Sequence, residues 1–399
     1  MEKVLQNKNT PFYVFDKIKF QNTLERLKKK FTTYYDKFCI AYSYKTNYTP
    51  AICKVAYECG TLAEIVSDME GYIATNCGVA YDKIIFNGPY KYNYEKYLQN
   101  GSTIIIDNRE EAENVYNFAK NNAEVICKIA FRLNYEVIPN KISRFGFDVL
   151  QVEIKQCIQK LKTLQNVKIV GMHCHIGGAR GLDDWITRAK KMLDLAFGLF
   201  DGKLEFIDLG SGMFGEMEED LASQFANNIP SFDDYAKAVG GLFNERFKDY
   251  SFEEKPFLYV EPGTTVVANA VNFYAKVIAI KEIRGKKFAI LNCSSQNIGV
   301  LSTKKNLPIT VYNAKSPVEE VDFVGYTCIE ADCFYRGYTG NLDVGSVVEF
   351  RNVGSYSVNM KPPFIMPNCE MYQYDSSKEE LKIIKEKEEY DKLLSTYVF

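Results

Sequence analysis

Through the first 265 residues, short apolar runs rich in β-branched side chains alternate with longer stretches whose hydrophobic positions return at helical spacing. Eight runs fit strands: FCIAYSYK, TLAEIV, KIIFNG, STIIID, VICKIAFRLN, VKIVGMHCH, LEFIDLGSG and PFLYVEPG. NREEAENVYNFAKNN after the fourth and DDWITRAKKMLDLAFGLF after the sixth have helical periodicity and a charged face. Strands alternating with helices predict a parallel sheet, and eight such units predict a closed (β/α)8 barrel of the TIM type. An open doubly wound sheet is the alternative, because it uses the same alternation.

After about residue 268 the texture changes. VNFYAKVIAIKEIRGKKFAILNC, NLPITVYN and GSVVEFRNVGSYSVNM are strand-like runs between turn residues, with little helical periodicity. This predicts a two-domain chain, with a barrel over 12–268 and an all-β domain over 269–399 to which residues 1–11 attach. The charged run SSKEELKIIKEKEEYDKLL near the end reads as a solvated terminal helix.

Composition narrows the function. The 399 residues are 46% hydrophobic and 25% charged with a formal net charge of -2, which leaves no basic footprint for nucleic acid and no cationic membrane face. No signal peptide and no membrane-spanning run is expected, and the eleven cysteines lack CxxC pairs, as expected of reduced thiols in a cytoplasm. Only two histidines exist, His173 and His175, so any imidazole chemistry falls on them.

A barrel enzyme carries its chemistry at the C-terminal ends of its strands. Polar residues gather at those ends: Lys45, Glu64 and Ser67, Asn87, Asp107, Arg132, His175, Gly210 and Gly212, and Glu261. A lysine amine can form a Schiff base with a carbonyl cofactor. The loop GSGMFG, with Gly210, Ser211 and Gly212, can present backbone N–H groups to a phosphate, although the same pattern also serves plain tight turns. Glu261 can keep a pyridine nitrogen protonated, and His175 can stack on the ring. Together these are the requirements of pyridoxal 5'-phosphate. The competing reading of HCH is a metal pair, and the sequence offers it no spaced third ligand, so no metal is expected. In the bland alternative both histidines only satisfy hydrogen bonds in the core.

In their order along the chain these motifs resemble the fold type III pyridoxal-phosphate decarboxylases, which include diaminopimelate, ornithine, arginine and carboxynorspermidine decarboxylases. The resemblance runs from TPFYVFD to VGSYSVNM. It implies an alanine racemase-like two-domain architecture with Lys45 in YSYKTN as the Schiff-base lysine and Glu64 as the acid ending the second strand. SRFGF at 143–147, containing Arg144, resembles the family's SKFG-like segment, and His175 in HCHIGG its ring-stacking histidine. DLGSGMFG resembles the phosphate loop, and EPG carries the pyridine-facing Glu261. VGYTCIEAD resembles the stretch whose cysteine, here Cys328, reaches the neighbouring subunit's site, with Asp332 nearby; Tyr356 in GSYS matches a tyrosine that contacts the phosphate. The resemblance further implies Arg144, Asp332 and Tyr356 as substrate contacts, Cys328 as proton donor to Cα, and a homodimer with shared sites.

Three positions depart from the family pattern. Gly178 stands where a serine is usual, and Thr264 where an arginine is usual, so two phosphate contacts are missing or replaced by a hydroxyl. Ile329 follows the cysteine in place of an acid that contacts the substrate's distal amino group. The expected activity is therefore decarboxylation of an amino acid other than diaminopimelate or ornithine. A racemase of similar fold and a non-catalytic cofactor carrier are the alternatives.

Overall fold

The computed structural model describes residues 8–225, 228–375 and 378–398. The chain divides into two compact units. One runs Thr23–Phe214 and Ile229–Thr265; the other gathers the segment ending at Asn22, Gly215–Asn228 and the segment from Val266 onward.

The first strand, β1 (Phe12–Asp16), lies outside the barrel, unlike the expectation that placed it there. It pairs antiparallel with Val271–Phe273 and Tyr274, and parallel with Glu370–Tyr374. Its pattern FYVFD is buried over four consecutive residues, which suits a strand covered on both faces. The barrel follows in β2 (Phe38–Ser43), β3 (Leu62–Ile65), β4 (Ile84–Phe86), β5 (Thr103–Ile106) and β6 (Cys127–Asn134). After the two-residue β7 (Phe147–Asp148) beside β6 come β8 (Val167–His173), β9 (Phe206–Asp208) and β10 (Phe257–Val260). Every neighbour in the ring is parallel: β2 to β3, β4, β5, β6, β8, β9 and β10, with β10 back on β2. The closed eight-stranded barrel is the fold expected from the pattern, and the open sheet is excluded.

Side chains fill the barrel. Ala41, Ile85, Ile105, Ala130, Val170 and Phe206 form a buried cluster, with Leu62, Phe257 and Tyr259 packed against it. Small and large residues complement one another here: Phe206 stacks on Tyr259 with centroids 4.7 Å apart, and a Cβ on Gly171 would come within 2.4 Å of the Phe206 ring. The apolar plug closes the middle of the barrel and leaves the polar strand ends to face one mouth.

The second unit holds a nine-stranded sheet, within which β1 lies between β11 (Val271–Ile283) and β17 (Glu370–Asp375). It also contains Gly215–Asn228, a stretch within the 12–268 span that the sequence pattern assigns to the barrel. Polar side chains hold it: Glu218 Oε1 accepts from Arg351 Nε at 2.6 Å, and Gln224 Oε1 from the Asn306 backbone at 2.9 Å. The charged run near the C-terminus, expected as a terminal helix, is helical only over Tyr390–Leu393; its earlier part forms β18 (Glu380–Lys385), which pairs antiparallel with β17. Its partner supplies backbone bonds that outweigh the helical propensity of Glu and Lys; the run's first two serines, and residues 1–7 of the expected N-terminal attachment, lie outside the described residues. Among the described residues no helix is long and apolar enough to cross a membrane.

Candidate active site

The ends of the barrel strands carry a network of buried polar groups. Lys45 lies in the one-turn helix Tyr44–Thr46 directly after β2. Its Nζ is 2.6 Å from Glu64 Oε2 and 2.9 Å from Oε1, and Ser43 Oγ donates to the same Oε2 at 2.6 Å. Glu64 is completely buried on β3, so its charge is balanced by a lysine that keeps about a third of its side chain exposed. An amine held in this way is anchored and yet open to a ligand.

Glu261, next after β10, is the second buried carboxylate. Asn87 Nδ2 donates to its Oε1 at 3.2 Å, and His173 Nε2 lies 3.1 Å from its Oε2. Burial alone would raise the Glu261 pKa, but His173, Lys45 and His175 hold it below the usual carboxylate range. Asp208, the last residue of β9, stands behind it, completely buried. Burial and the charge of Glu261 push Asp208 well above the usual range. Ligand atoms of His173, Asp208 and Glu261 all lie within 4.8 Å of one another. Only His173 of HCH belongs to this group; its two companions come from the end of β9 and from the residue after β10, and His175 is not among them. Part of the group's capacity is used locally: His173 and Asn87 serve Glu261, and Asp208 Oδ1 accepts from Gly210 N at 2.7 Å, while Asp208 Oδ2 and His173 Nδ1 have no hydrogen-bond partner among the described residues.

His175 sits two residues beyond His173, partly buried, where the chain leaves β8. Its Nδ1 accepts from Ser211 N at 3.2 Å. Burial, with Lys45 nearby, pushes its pKa down to about 3, so the ring is neutral over the working pH range. Gly210 bears φ +61° and leaves no room for a side chain: a Cβ would come 2.6 Å from Cys174 O and 2.8 Å from His175 Cβ. The glycine turn therefore rests directly on the histidine segment.

Arg188 clamps both. It lies on the buried stripe of helix Leu182–Phe200 with Trp185, Ala189 and Met192. Its guanidinium donates to Leu209 O and Ser211 O at 2.9 Å each, to Ala179 O at 3.0 Å and to Ile176 O at 3.3 Å. Sequence reasoning missed it, although a charged residue one turn from Trp185 and Met192 on an apolar stripe was the available signal. Asp208 was also missed, despite standing inside the quoted DLGSG. Thr265 was missed too: its hydroxyl donates to Met213 O at 2.9 Å and so ties the EPG segment to the glycine loop, whereas the singled-out Thr264 is half-buried beside it.

The remaining predicted residues are dispersed. Ser67 caps the helix Asp68–Asn76, and Asp107 accepts from Gly146 N at 3.2 Å while lying 3.6 Å from Arg132. Arg144 is exposed, its guanidinium 4.1 Å from the Phe145 ring centre. A Cβ on Gly178 would lie 2.6 Å from Lys141 Nζ. In the other unit, Asp332 is buried and accepts from Ser295 N at 2.7 Å and Thr327 Oγ1 at 2.6 Å, which pins the loop bearing the exposed Cys328. Tyr356 holds a left-handed backbone with φ 51°.

A barrel mouth with an anchored lysine, a neutral imidazole, a glycine turn and a buried carboxylate defines a cofactor-dependent enzyme of the TIM-barrel class. Residues 20–268 match the family described as pyridoxal-dependent decarboxylase, pyridoxal binding domain, and the chain belongs to that family. A diaminopimelate decarboxylase of Methanocaldococcus jannaschii is 27% identical, covering 97% of this chain and 90% of its own. One of Bacteroides thetaiotaomicron is 26% identical, covering 90% and 93%. The crystal structure of the M. jannaschii diaminopimelate decarboxylase in complex with L-lysine superposes with a TM-score of 0.88 at 25% identity, covering 100% of this chain and 94% of that one. An arginine decarboxylase from Paramecium bursaria Chlorella virus shares the fold, with a TM-score of 0.75 at 19% identity, covering 93% and 98%.

The protein is thus a pyridoxal-phosphate-dependent amino-acid decarboxylase by family. The residues fit the cofactor. Lysine, imidazole and carboxylate are the donor set that it needs, and the bare Gly210 turn allows backbone to approach a phosphate closely.

Proposed function

We propose that the chain removes the α-carboxylate of an amino acid as CO2, with Lys45 holding the cofactor and Glu261 facing its ring nitrogen. The observation that carries this is the meeting of Lys45, His175, the Gly210 turn and Glu261 at one barrel mouth. When bound, the cofactor supplies the sink for the electron pair that departing CO2 leaves on Cα. The chain's own residues do the rest. Glu64 Oε2 is positioned to take the proton that Lys45 Nζ sheds on becoming nucleophilic, and Ser43 keeps that carboxylate in place. Neutral His175 offers a flat apolar face to the ring. Gly210, Ser211, Gly212, Thr264 and Tyr356 hold the phosphate. Glu261, kept ionised, keeps the ring nitrogen protonated.

Cys328 is the proposed proton donor to Cα. Its unit is supplied by the second chain of a homodimer, and Arg144, Asp332 and Tyr356 complete the substrate contacts. Asp332 acts by fixing the Cys328 loop.

For the substrate, the relatives favour diaminopimelate, and exclusion of that amino acid finds no support among them. One observation favours a different distal group: Ile329 stands next to Cys328, with the exposed Glu330 one position further on. Incubation with diaminopimelate, ornithine, lysine and arginine, with CO2 and loss of chirality followed separately, tests the assignment. CO2 from diaminopimelate alone supports the first reading, and CO2 from another amino acid the second. Chirality loss without CO2 would overturn both.

A further inference from the structure

Two carboxyl groups, Asp208 and Glu261, share one completely buried pocket with a single imidazole. Asp208 is 0% and Glu261 3% exposed, and His173 is 0% exposed. Two like charges this close and this dry cannot both persist, so one of the pair must carry a proton. The hydrogen bonds say which. Glu261 has a partner on each oxygen: Asn87 Nδ2 donates to Oε1, and His173 Nε2, a donor in its Nε2–H tautomer, lies 3.1 Å from Oε2 and equally near Asn87 Nδ2. Asp208 has one donor, the Gly210 amide on Oδ1, and its Oδ2 has no partner among the described residues. An ionised oxygen left bare in an apolar interior is costly, whereas a protonated one becomes a donor toward Glu261. Gly210 closes the circuit, since its own carbonyl accepts from Glu261 N at 2.9 Å.

We infer that Asp208 is a neutral carboxylic acid in the folded enzyme and serves as a positioning residue. Its proton points at Glu261 and keeps the negative charge there, while its other oxygen binds the glycine turn to the same carboxylate. The inference rests on the proposed placing of Glu261 against the cofactor's ring nitrogen. It deepens that reading, because one side chain then couples the phosphate loop to the group that sets the ring's charge. The ionisable groups around Asp208 are Glu261, His173, Glu64, Lys45, Cys39, Cys174 and Tyr259. Lys45 is engaged by Glu64, His173 faces Glu261, and the nearby Arg188 guanidinium donates to the carbonyls of Leu209, Ser211, Ile176 and Ala179, so among the described residues no cation is seen to pair with Asp208.

Asp208→Asn tests the assignment, since an amide keeps the carbonyl for Gly210 and supplies a neutral donor to Glu261. In the cofactor-free protein at neutral pH, the infrared spectrum should show a protonated carboxylic acid that Asp208→Asn removes. The folded state keeps this proton while the unfolded chain releases it above about pH 4, so wild-type stability should fall as pH rises from there. Asp208→Asn should remove this contribution and leave that of Glu70, so the difference in stability between variant and wild type should shift in the variant's favour from pH 5 to pH 8. Its cofactor affinity, titrated by absorbance, should stay within about threefold of wild type, and the pH profile of the bound cofactor's visible spectrum should not move. Asp208→Ala should lose at least tenfold in affinity. An unchanged infrared acid band in Asp208→Asn, or an affinity loss as large as that of Asp208→Ala, would overturn the inference. Failure of the Glu261 placement would look different: Glu261→Gln would leave the cofactor spectrum unaltered, while Asp208→Asn would still remove the acid band of the wild-type protein.

Discussion

At the scale of single residues, function and stability meet in buried ionisable groups. Lys45→Ala should abolish borohydride fixation of the cofactor, and mass mapping of the wild-type adduct should find it on Lys45; attachment to another lysine would break the assignment. Glu70 is 3% exposed, and burial, with the charge of Glu64 adding to it, raises its pKa to about 7 despite the hydrogen bond from Val66 N. The folded chain then holds a proton that the unfolded chain gives up near pH 4, so stability falls between about pH 4 and pH 7, by up to about 1.4 kcal/mol per unit. Urea unfolding of Glu70→Gln should show that slope flattened. His175 has the opposite sign. Its folded pKa of about 3 means that the unfolded chain takes up the proton first, below about pH 6.5. Cofactor-free His175→Gln should therefore lose less stability than wild type between pH 6.5 and pH 4.

At the scale of elements, the mouth depends on loops held from behind. Arg188 reaches carbonyls on both the histidine segment and the glycine turn, and none of these can be satisfied by a shortened side chain. Arg188→Ala should cost at least about 3 kcal/mol in urea unfolding and weaken cofactor binding with it. Arg188→Lys should recover only part of both, since a point charge cannot reproduce the planar fork. If Arg188→Ala bound cofactor as wild type does, the clamp would have no bearing on the site. Thr264→Arg tests the departures in the phosphate region in the same manner. Tighter binding is expected if the missing contact is a deficit, and unchanged or weaker binding if the Thr265 tie and its neighbours already fill the space.

At the scale of the whole molecule, the proposed site needs two chains. Lys45 lies in the barrel unit and Cys328 in the other, and the family resemblance assigns them to one site across a two-fold axis. Mixing inactive Lys45→Ala and Cys328→Ala chains under conditions of subunit exchange should restore up to roughly a quarter of wild-type activity, because about half the dimers are mixed and each has one intact site. No recovery, with exchange verified by mass, would place both residues in the same chain or remove Cys328 from the chemistry.

The barrel was legible in the sequence because strand and helix periodicity are local properties: all eight apolar runs became the eight ring strands. The residues at their ends were legible for the same reason, since a strand's last residues must face a barrel mouth. Tertiary structure decided what depended on distant partners. FYVFD falls within the 12–268 span that the pattern gives to the barrel domain, and only the neighbours available to it in Val271–Tyr274 and Glu370–Tyr374 put it in the other sheet. ELKIIK reads as helix until β17 offers its edge. The Arg188 clamp and the Asp208, His173 and Glu261 trio join residues from separate strands and helices. Spacing along the chain carries no trace of such contacts. Burial decides their charge, and burial exists only once the chain has folded.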